Sequence, residues 1–336
     1  MKKKLYIIFL TIILVGAAMG KSKVRELGVK KLSENVLVIS GNYFEEHMTA
    51  VATGAGLVII DTLTTAADTR RAYEAIKEFS SEPVRYVINT HFDLDHYAGN
   101  QVFANAAIIG HHNCKSHFDE VMFADPKNID EVKTLIKQVE EQYRQKKPGS
   151  QEAEIWKRYV DEYRVLLEGF DGFTFTPPTL YIPGDIKLEL GDTVIEVKYF
   201  GPGHTNADLV VIIPGEKLMI TGDLILGKDF IPVIHDKHGG SVGNLIHILR
   251  ELAKMEGEID TIVPGHGQVT DLSAAKAQLE YLESVQKAVT AARQKNLTLK
   301  EAQEKIKMEK YKYYWLYDFV HSQNIEIAWN EQKNSN

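Results

Sequence analysis

The segment Thr90-His91-Phe92-Asp93-Leu94-Asp95-His96 sets two imidazoles and two carboxylates directly behind the apolar run VRYVINT (84–90). Three further segments are built the same way: Gly201-Pro202-Gly203-His204-Thr205, Thr221-Gly222-Asp223 and Val263-Pro264-Gly265-His266-Gly267. In each, a β-branched stretch delivers a histidine or an aspartate onto a loop. In layered α/β folds, ligands gather at the ends of strands. Gly and Pro around His204 and His266 permit the tight turns that aim a ring inward. Imidazole and carboxylate are the ligands of zinc, iron and manganese where thiolates are absent. The sequence has one cysteine, Cys114, so no intrachain disulfide and no cysteine-based zinc cluster is possible.

The elements around these loops alternate. Residues 35–61 read as a meander of three strands broken by glycine, closed by Asp61. Residues 66–79 have helical period, 84–90 form a buried strand, a short helix starts within 95–103, and 106–110 form the next strand. Strands follow at 186–190, 193–200, 208–214 and 217–223, then a helix near 242–255 and a strand from 259. Residues 273–296 and 298–321 read as amphipathic, charged helices. Strands alternating with helices give a layered α/β fold. Between its halves, Ile129, Val132, Ile136, Val139 and Tyr143 fall at helical spacing, as do Trp156, Tyr159, Tyr163 and Leu167 after a break at Pro148-Gly149. The segment 126–168 is therefore expected to be an inserted helical hairpin, a cap or one wall of a cleft.

Composition narrows the class. With 336 residues, 44% hydrophobic and 25% charged, the chain can bury a sizeable core and is not disordered. A net charge of −7 and a pI near 6.0 argue against a nucleic-acid partner, which needs a basic face. Residues 1–20 carry a lysine-rich start, a short apolar run and small residues before Lys21, the pattern of a secretory signal. The expected location is exported, periplasmic or secreted. An uncleaved anchor is the other reading, and the only expected membrane contact. Residues 21–336 then form one domain, with a helical extension over about 272–336. The sequence assigns no oligomeric state.

The four loops, in this order, resemble the metallo-β-lactamase superfamily, whose signature is H-x-H-x-D-H, a histidine after glycine, a Gly-Asp pair and a late histidine in P-G-H-G. The resemblance runs from about residue 35 to 270. It implies a four-layer αββα sandwich with metals at one edge of two sheets. Carried over position by position, it gives metal site one as His91, Asp93 and His204, and site two as Asp95, His96 and His266, with Asp223 bridging. Asp61 matches a carboxylate that orients a ligand. The implied activity is a hydrolase: one or two divalent cations hold a hydroxide that attacks a small ester, lactone, lactam or thioester. Asp95 or Asp93 would orient the nucleophile or move its proton. Asp93 departs from the pattern, which has histidine there. Its negative charge favours harder cations, so manganese or iron stand beside zinc. Asp93 is either a ligand or an outer base.

Other histidines read differently. His235 and His238 lie on a glycine-containing loop that borders the cleft, and His235 is a candidate for substrate contact. His111 and His112 close a strand as packed or solvent-facing residues. His117 and Cys114 fall in a helix as structural residues, His47 in a strand and His247 in a helix. Two other functions stay open: an iron-dependent oxidoreductase on the same scaffold, since flavodiiron proteins are similar in placing a carboxylate at the position of Asp93, and a metal-binding protein without turnover.

Overall fold

The computed structural model describes residues 26–118, 126–169 and 172–334. The candidate secretory signal at 1–20 lies outside the described residues.

Two sheets face each other. The first has the order β1(Gly28–Lys31), β2(Val36–Ser40), β3(His47–Ala52), β4(Leu57–Ile60), β5(Val84–Ile88), β6(Ala107–His111), β7(Leu180–Ile182). It is antiparallel from β1 to β4 and parallel from β4 to β7. The second has the order β12(Thr261–Val263), β11(Leu218–Ile220), β10(Val210–Ile213), β9(Thr193–Lys198), β8(Ile186–Leu190). Only β11 and β12 run parallel there.

The period of two along each strand decides the layers. Val36 and Val38 point between the sheets and meet Val197, Val211 and Ile220 of the second sheet. Leu37 and Ile39 point the other way, onto Ala72 and Ile76 of α1(Ala66–Phe79). Across the molecule, Val210, Ile212 and Met219 leave the second sheet and pack on α6(Val242–Ala253), α7(Leu272–Gln294) and α9(Tyr317–Asn334). Helix, sheet, sheet and helix therefore form four layers, and strands buried on both faces read as continuous apolar runs. The helices start where the sequence supplies a cap: the side chains of Thr65, Ser241 and Asp271 each accept a hydrogen bond from a first-turn amide.

The short helix α2(Leu94–Tyr97) follows β5, and α3(Cys114–Phe118) follows β6. Between β6 and β7 stand α4(Pro126–Arg144) and α5(Gln151–Gly169). Val139, Ile155, Tyr159 and Val160 pack there against Phe44, Leu226 and Phe230, so these helices cover the end of the sandwich. No helix among the described residues is long and apolar enough to cross a membrane.

Two features differ from the sequence reading. The edge strands β1 and β7 were not anticipated: GVKK is exposed throughout and β7 has three residues, so neither shows an apolar alternation. The stretch 298–321 is not one helix. It divides into α8(Leu299–Lys305) and the start of α9, with a turn at Glu309–Tyr311. The backbone of Trp315 is instead engaged with 229–231: it donates to the Asp229 carbonyl at 2.8 Å and accepts from Ile231 at 3.0 Å. Tertiary pairing overrides helix propensity there.

Candidate metal centre

The parallel strands β4 and β5 end together, and Asp61 and His91 follow them. In the second sheet β9, β11 and β12 run in one direction, and the loops with His204, Asp223 and His266 leave the same edge. Topology alone thus brings residues distant in sequence to one end of the sandwich. Asp93, Asp95 and His96 arrive with the loop that opens α2.

The side chains converge. Asp93 Oδ2 lies 3.1 Å from His204 Nε2 and 3.8 Å from His91 Nε2. Asp95 Oδ2 lies 3.1 Å from His266 Nε2 and 3.7 Å from His96 Nε2. Asp223 reaches both groups: its Oδ1 is 3.3 Å from His96 Nε2 and 3.5 Å from His266 Nε2, and its Oδ2 is 3.8 Å from His204 Nε2. Three triads have donor atoms within 4.8 Å of one another: His91, Asp93 and His204; His91, His96 and Asp223; Asp95, His96 and His266.

Every imidazole is oriented from behind. His96 Nδ1 donates to Asp61 Oδ2 at 2.9 Å. The amide and hydroxyl of Thr90 also donate to Asp61, at 2.8 and 2.7 Å. With its proton given to Asp61, the Thr90 hydroxyl accepts from His91 Nδ1 at 3.0 Å. His204 Nδ1 donates to the Val233 carbonyl at 2.8 Å, and His266 Nδ1 to the Phe44 carbonyl at 3.3 Å. Each partner can only accept there, so each ring carries a proton on Nδ1 and turns Nε2 inward. That is the arrangement of ligating histidines.

Burial and charge act together on the cluster. Burial works against protonation of His204 and His266, but the carboxylates of Asp93 and Asp223, and of Asp223 and Asp95, outweigh it and push both up to about 10. His96 is likewise held well above the usual range, where Asp95, Asp223 and Asp61 overcome burial. Burial, reinforced by His96, takes His91 down to about 3. Burial opposes ionisation of Asp93 and Asp223, yet neighbouring imidazoles keep both well below the usual carboxylate range. The carboxylates thus create a field that draws positive charge.

This donor set fits a divalent cation. His91 Nε2 is buried and has no hydrogen-bond partner, although its ring is aimed at the cluster. Imidazole Nε2 atoms and ionised carboxylates are the ligands that zinc, iron or manganese take, and a bound cation takes the place of the protons that these carboxylates otherwise hold on the rings. The backbone closes around the set: a Cβ at Gly265 would overlap Asp223 Oδ1, and one at Gly222, which has φ +49°, would overlap Thr90 Oγ1.

The structure brings all nine candidate residues to one place. His91, Asp93, Asp95, His96, His204, Asp223 and His266 form the cluster, and Asp61 stands behind His96. His235 sits at the mouth: its Nε2 is 3.1 Å from Asp93 Oδ2, and its side chain is 34% exposed against 1% for His204. His111 stacks on Tyr199, and His117 stacks on Phe92 and contacts Asn206.

Several supporting residues escaped the sequence reading. Asp208 accepts from the amides of Gly203 and Thr205 and from the Thr205 hydroxyl, fixing the loop of His204; burial pushes it up to about 6. His47 opens β3, which runs antiparallel to β4, and so lies at the same edge. Its Nε2 donates to the Gly267 carbonyl at 2.6 Å. Glu46, fully buried, accepts from the Tyr43 amide and from the amide and hydroxyl of Thr64. A carboxylate spaced after a glycine-histidine loop was the one available signal, and it pointed to Asp208.

Residues 44–266 match the model of the metallo-beta-lactamase superfamily, a span that holds every residue of the cluster. The chain belongs to the metallo-beta-lactamase superfamily. Solved structures agree in fold. A metallo-beta-lactamase from Pontibacter korlensis superposes with a TM-score of 0.56 at 18% identity, covering 77% of this chain and 99% of that one. The DIM-1 metallo-beta-lactamase gives 0.55 at 17% identity, covering 78% and 99%. A linear primary-alkylsulfatase of a Pseudomonas species is 20% identical over 214 residues, which is 63% of this chain and 40% of that protein. This chain therefore spans less than half of that relative.

Proposed function

We propose that this superfamily member is a metal-dependent hydrolase cleaving an ester, lactone, lactam or thioester bond in a small molecule. His91, Asp93 and His204 would hold one cation, and Asp95, His96 and His266 a second, with Asp223 between them. One observation carries the reading: four imidazoles, each anchored through Nδ1, turn Nε2 toward three carboxylates within one buried cluster. Zinc is the expected cation, with manganese or iron favoured by Asp93.

When bound, such cations supply Lewis acidity and lower the pKa of water toward neutrality. The chain supplies position and proton transfer. Asp93 is the most exposed carboxylate of the cluster, at 23% against 12% for Asp95 and 8% for Asp223, so it faces incoming substrate. In this reading it orients the attacking water or takes up its proton, as Asp95 also could. Asp95, tied to His266 at 3.1 Å, orients the opposite side. His235, one third exposed and hydrogen-bonded to Asp93, lies where a substrate's polar group would pass. The likeness to an alkylsulfatase adds the sulfate monoester to the bonds worth testing.

The test is elemental analysis of purified protein together with turnover on chromogenic esters, lactones, lactams, thioesters and alkyl sulfates. Activity should vanish with a chelator and return with metal. His266→Ala should lower kcat/KM by more than about 100-fold with the fold retained, beyond the usual cost of losing a residue that only supports a ligand. Wild-type turnover in that variant would refute the assignment. Iron with oxygen consumption and no hydrolysis would overturn the reaction class.

A further inference from the structure

Glu162 is fully buried on α5, far in sequence from the cluster. Its Oε2 accepts the Phe44 amide at 2.7 Å. One turn earlier on the same helix, Arg158 donates from Nε to Glu162 Oε1 at 3.2 Å and from its guanidinium to Glu45 Oε1 at 3.4 Å. Arg158 is itself fixed over the Trp315 ring, 4.1 Å from the centroid. Helix α5 therefore grips two consecutive residues of the β2–β3 loop. Those residues are strained: Phe44 has φ +52° and Glu45 φ +60°, the left-handed region that side chains disfavour. Such a pair persists only where its surroundings enforce it.

The other side of this loop touches the metal centre. The Phe44 carbonyl receives His266 Nδ1, and the Glu45 carbonyl receives the Gly267 amide at 3.2 Å. Glu46 and His266 pair through their backbones. The carboxylate of Glu46 ties the loop to Thr64 on its far side. Two buried carboxylates thus hold the loop, one its own and one from the helical insertion. The other three imidazoles of the cluster are oriented by Thr90, Asp61 and the Val233 carbonyl, none of which lies on α5.

We propose that the helical insertion positions the ligand His266, with Glu162 acting through the left-handed backbone of Phe44, and so sets cation affinity on that side of the cluster alone. This inference rests on the metal-centre reading above. Without the Glu162 acceptor the 43–44 peptide unit is no longer held and the left-handed φ of Phe44 can relax; the carbonyl of the next unit then leaves His266 Nδ1, and the ring loses its fixed tautomer.

The full-length protein is titrated with Zn2+ against a chromophoric chelator, and the equivalent that depends on His266 is identified with His266→Ala. Glu162→Ala should weaken that equivalent by about 10-fold or more and leave any other unchanged, the usual size for the loss of a residue that orients a ligand. Glu162→Gln keeps a side-chain carbonyl able to accept the Phe44 amide, and should lose several-fold, less than alanine. Hydrogen exchange at the Phe44 amide should quicken in the same order. Unchanged affinity in both variants, or an equal loss at every equivalent, would overturn the proposal. If the alanine variant does not fold, Glu162→Leu, of similar size and without an acceptor, takes its place, and wild-type affinity there refutes the role. A wild-type protein that binds no Zn2+ would instead bring down the metal-centre reading itself.

Discussion

Asp61→Asn isolates the charge and acceptor capacity of a single buried oxygen. Asp61 receives three donors on two oxygens: the Thr90 amide at 2.8 Å on Oδ1, and the Thr90 hydroxyl at 2.7 Å and His96 Nδ1 at 2.9 Å on Oδ2. Asparagine is isosteric and tolerates the φ of +58° found there, so the backbone has no reason to move. It offers only one oxygen, however. With that oxygen toward His96, the amide group meets the Thr90 N–H. Turned over, it meets His96 Nδ1–H and draws the Thr90 hydroxyl away from His91. Either orientation leaves at least one buried donor unpaired, which costs about 1–3 kcal/mol of stability. The second orientation also favours His96 with its proton on Nε2, where the ligand lone pair should be. Loss of such an orienting carboxylate typically weakens a metal 10–100-fold, about 1.4–2.8 kcal/mol. Chelator competition reads the affinity and denaturant unfolding reads the stability. A variant less stable by this amount but with wild-type affinity would show that Asp61 only supports the fold. A variant unchanged in both would refute the hydrogen-bond account entirely.

Two other outcomes follow from the same geometry. Asp93→His restores an imidazole at the position where this chain has a carboxylate, and should tighten cation binding on the His91–His204 side by about 10-fold or more; unchanged stoichiometry and affinity in a metal titration would place Asp93 outside the ligand set. The pH dependence of stability should carry the mark of His47, which burial pushes down to about 4. The unfolded chain takes up a proton near 6.5 and the folded chain only near 4. Stability from this group is thus complete above about pH 6.5, falls as pH drops, and is down by about 3 kcal/mol at pH 4. His47→Gln should flatten that slope in denaturant unfolding at pH 7.5 and 4.5, and equal slopes in both proteins would refute it.

The ligand residues were legible because this fold places them one step beyond a buried strand. His91, Asp223 and His266 each follow an apolar run closely, so chain order alone exposes them. The layers were legible for the same reason: Val36 to Ile39 and Val210 to Ile213 are buried on both faces and read as unbroken apolar stretches. Short edge strands such as β1 carry no such run, and Trp315 looks helical until its backbone pairs with 229–231.

What orients the ligands lies in a different register of information. His204 and His266 are aimed by the carbonyls of Val233 and Phe44, and a carbonyl has no side-chain signature. The left-handed φ of Phe44 and Glu45 is equally silent, since neither is the glycine or asparagine that announces such a turn. Glu162 and Asp208 are ordinary acidic residues until the fold sets unpaired amides before them. A carboxylate that accepts two backbone amides through space, as Asp208 does from Gly203 and Thr205, is selected by the geometry of the loop it holds. The chemistry of the cluster is therefore written in its motif, whereas its accuracy depends on contacts that only the folded chain creates. Exchange of a ligand should change which cation binds; exchange of Asp61, Asp208 or Glu162 should change how tightly the same cation is held.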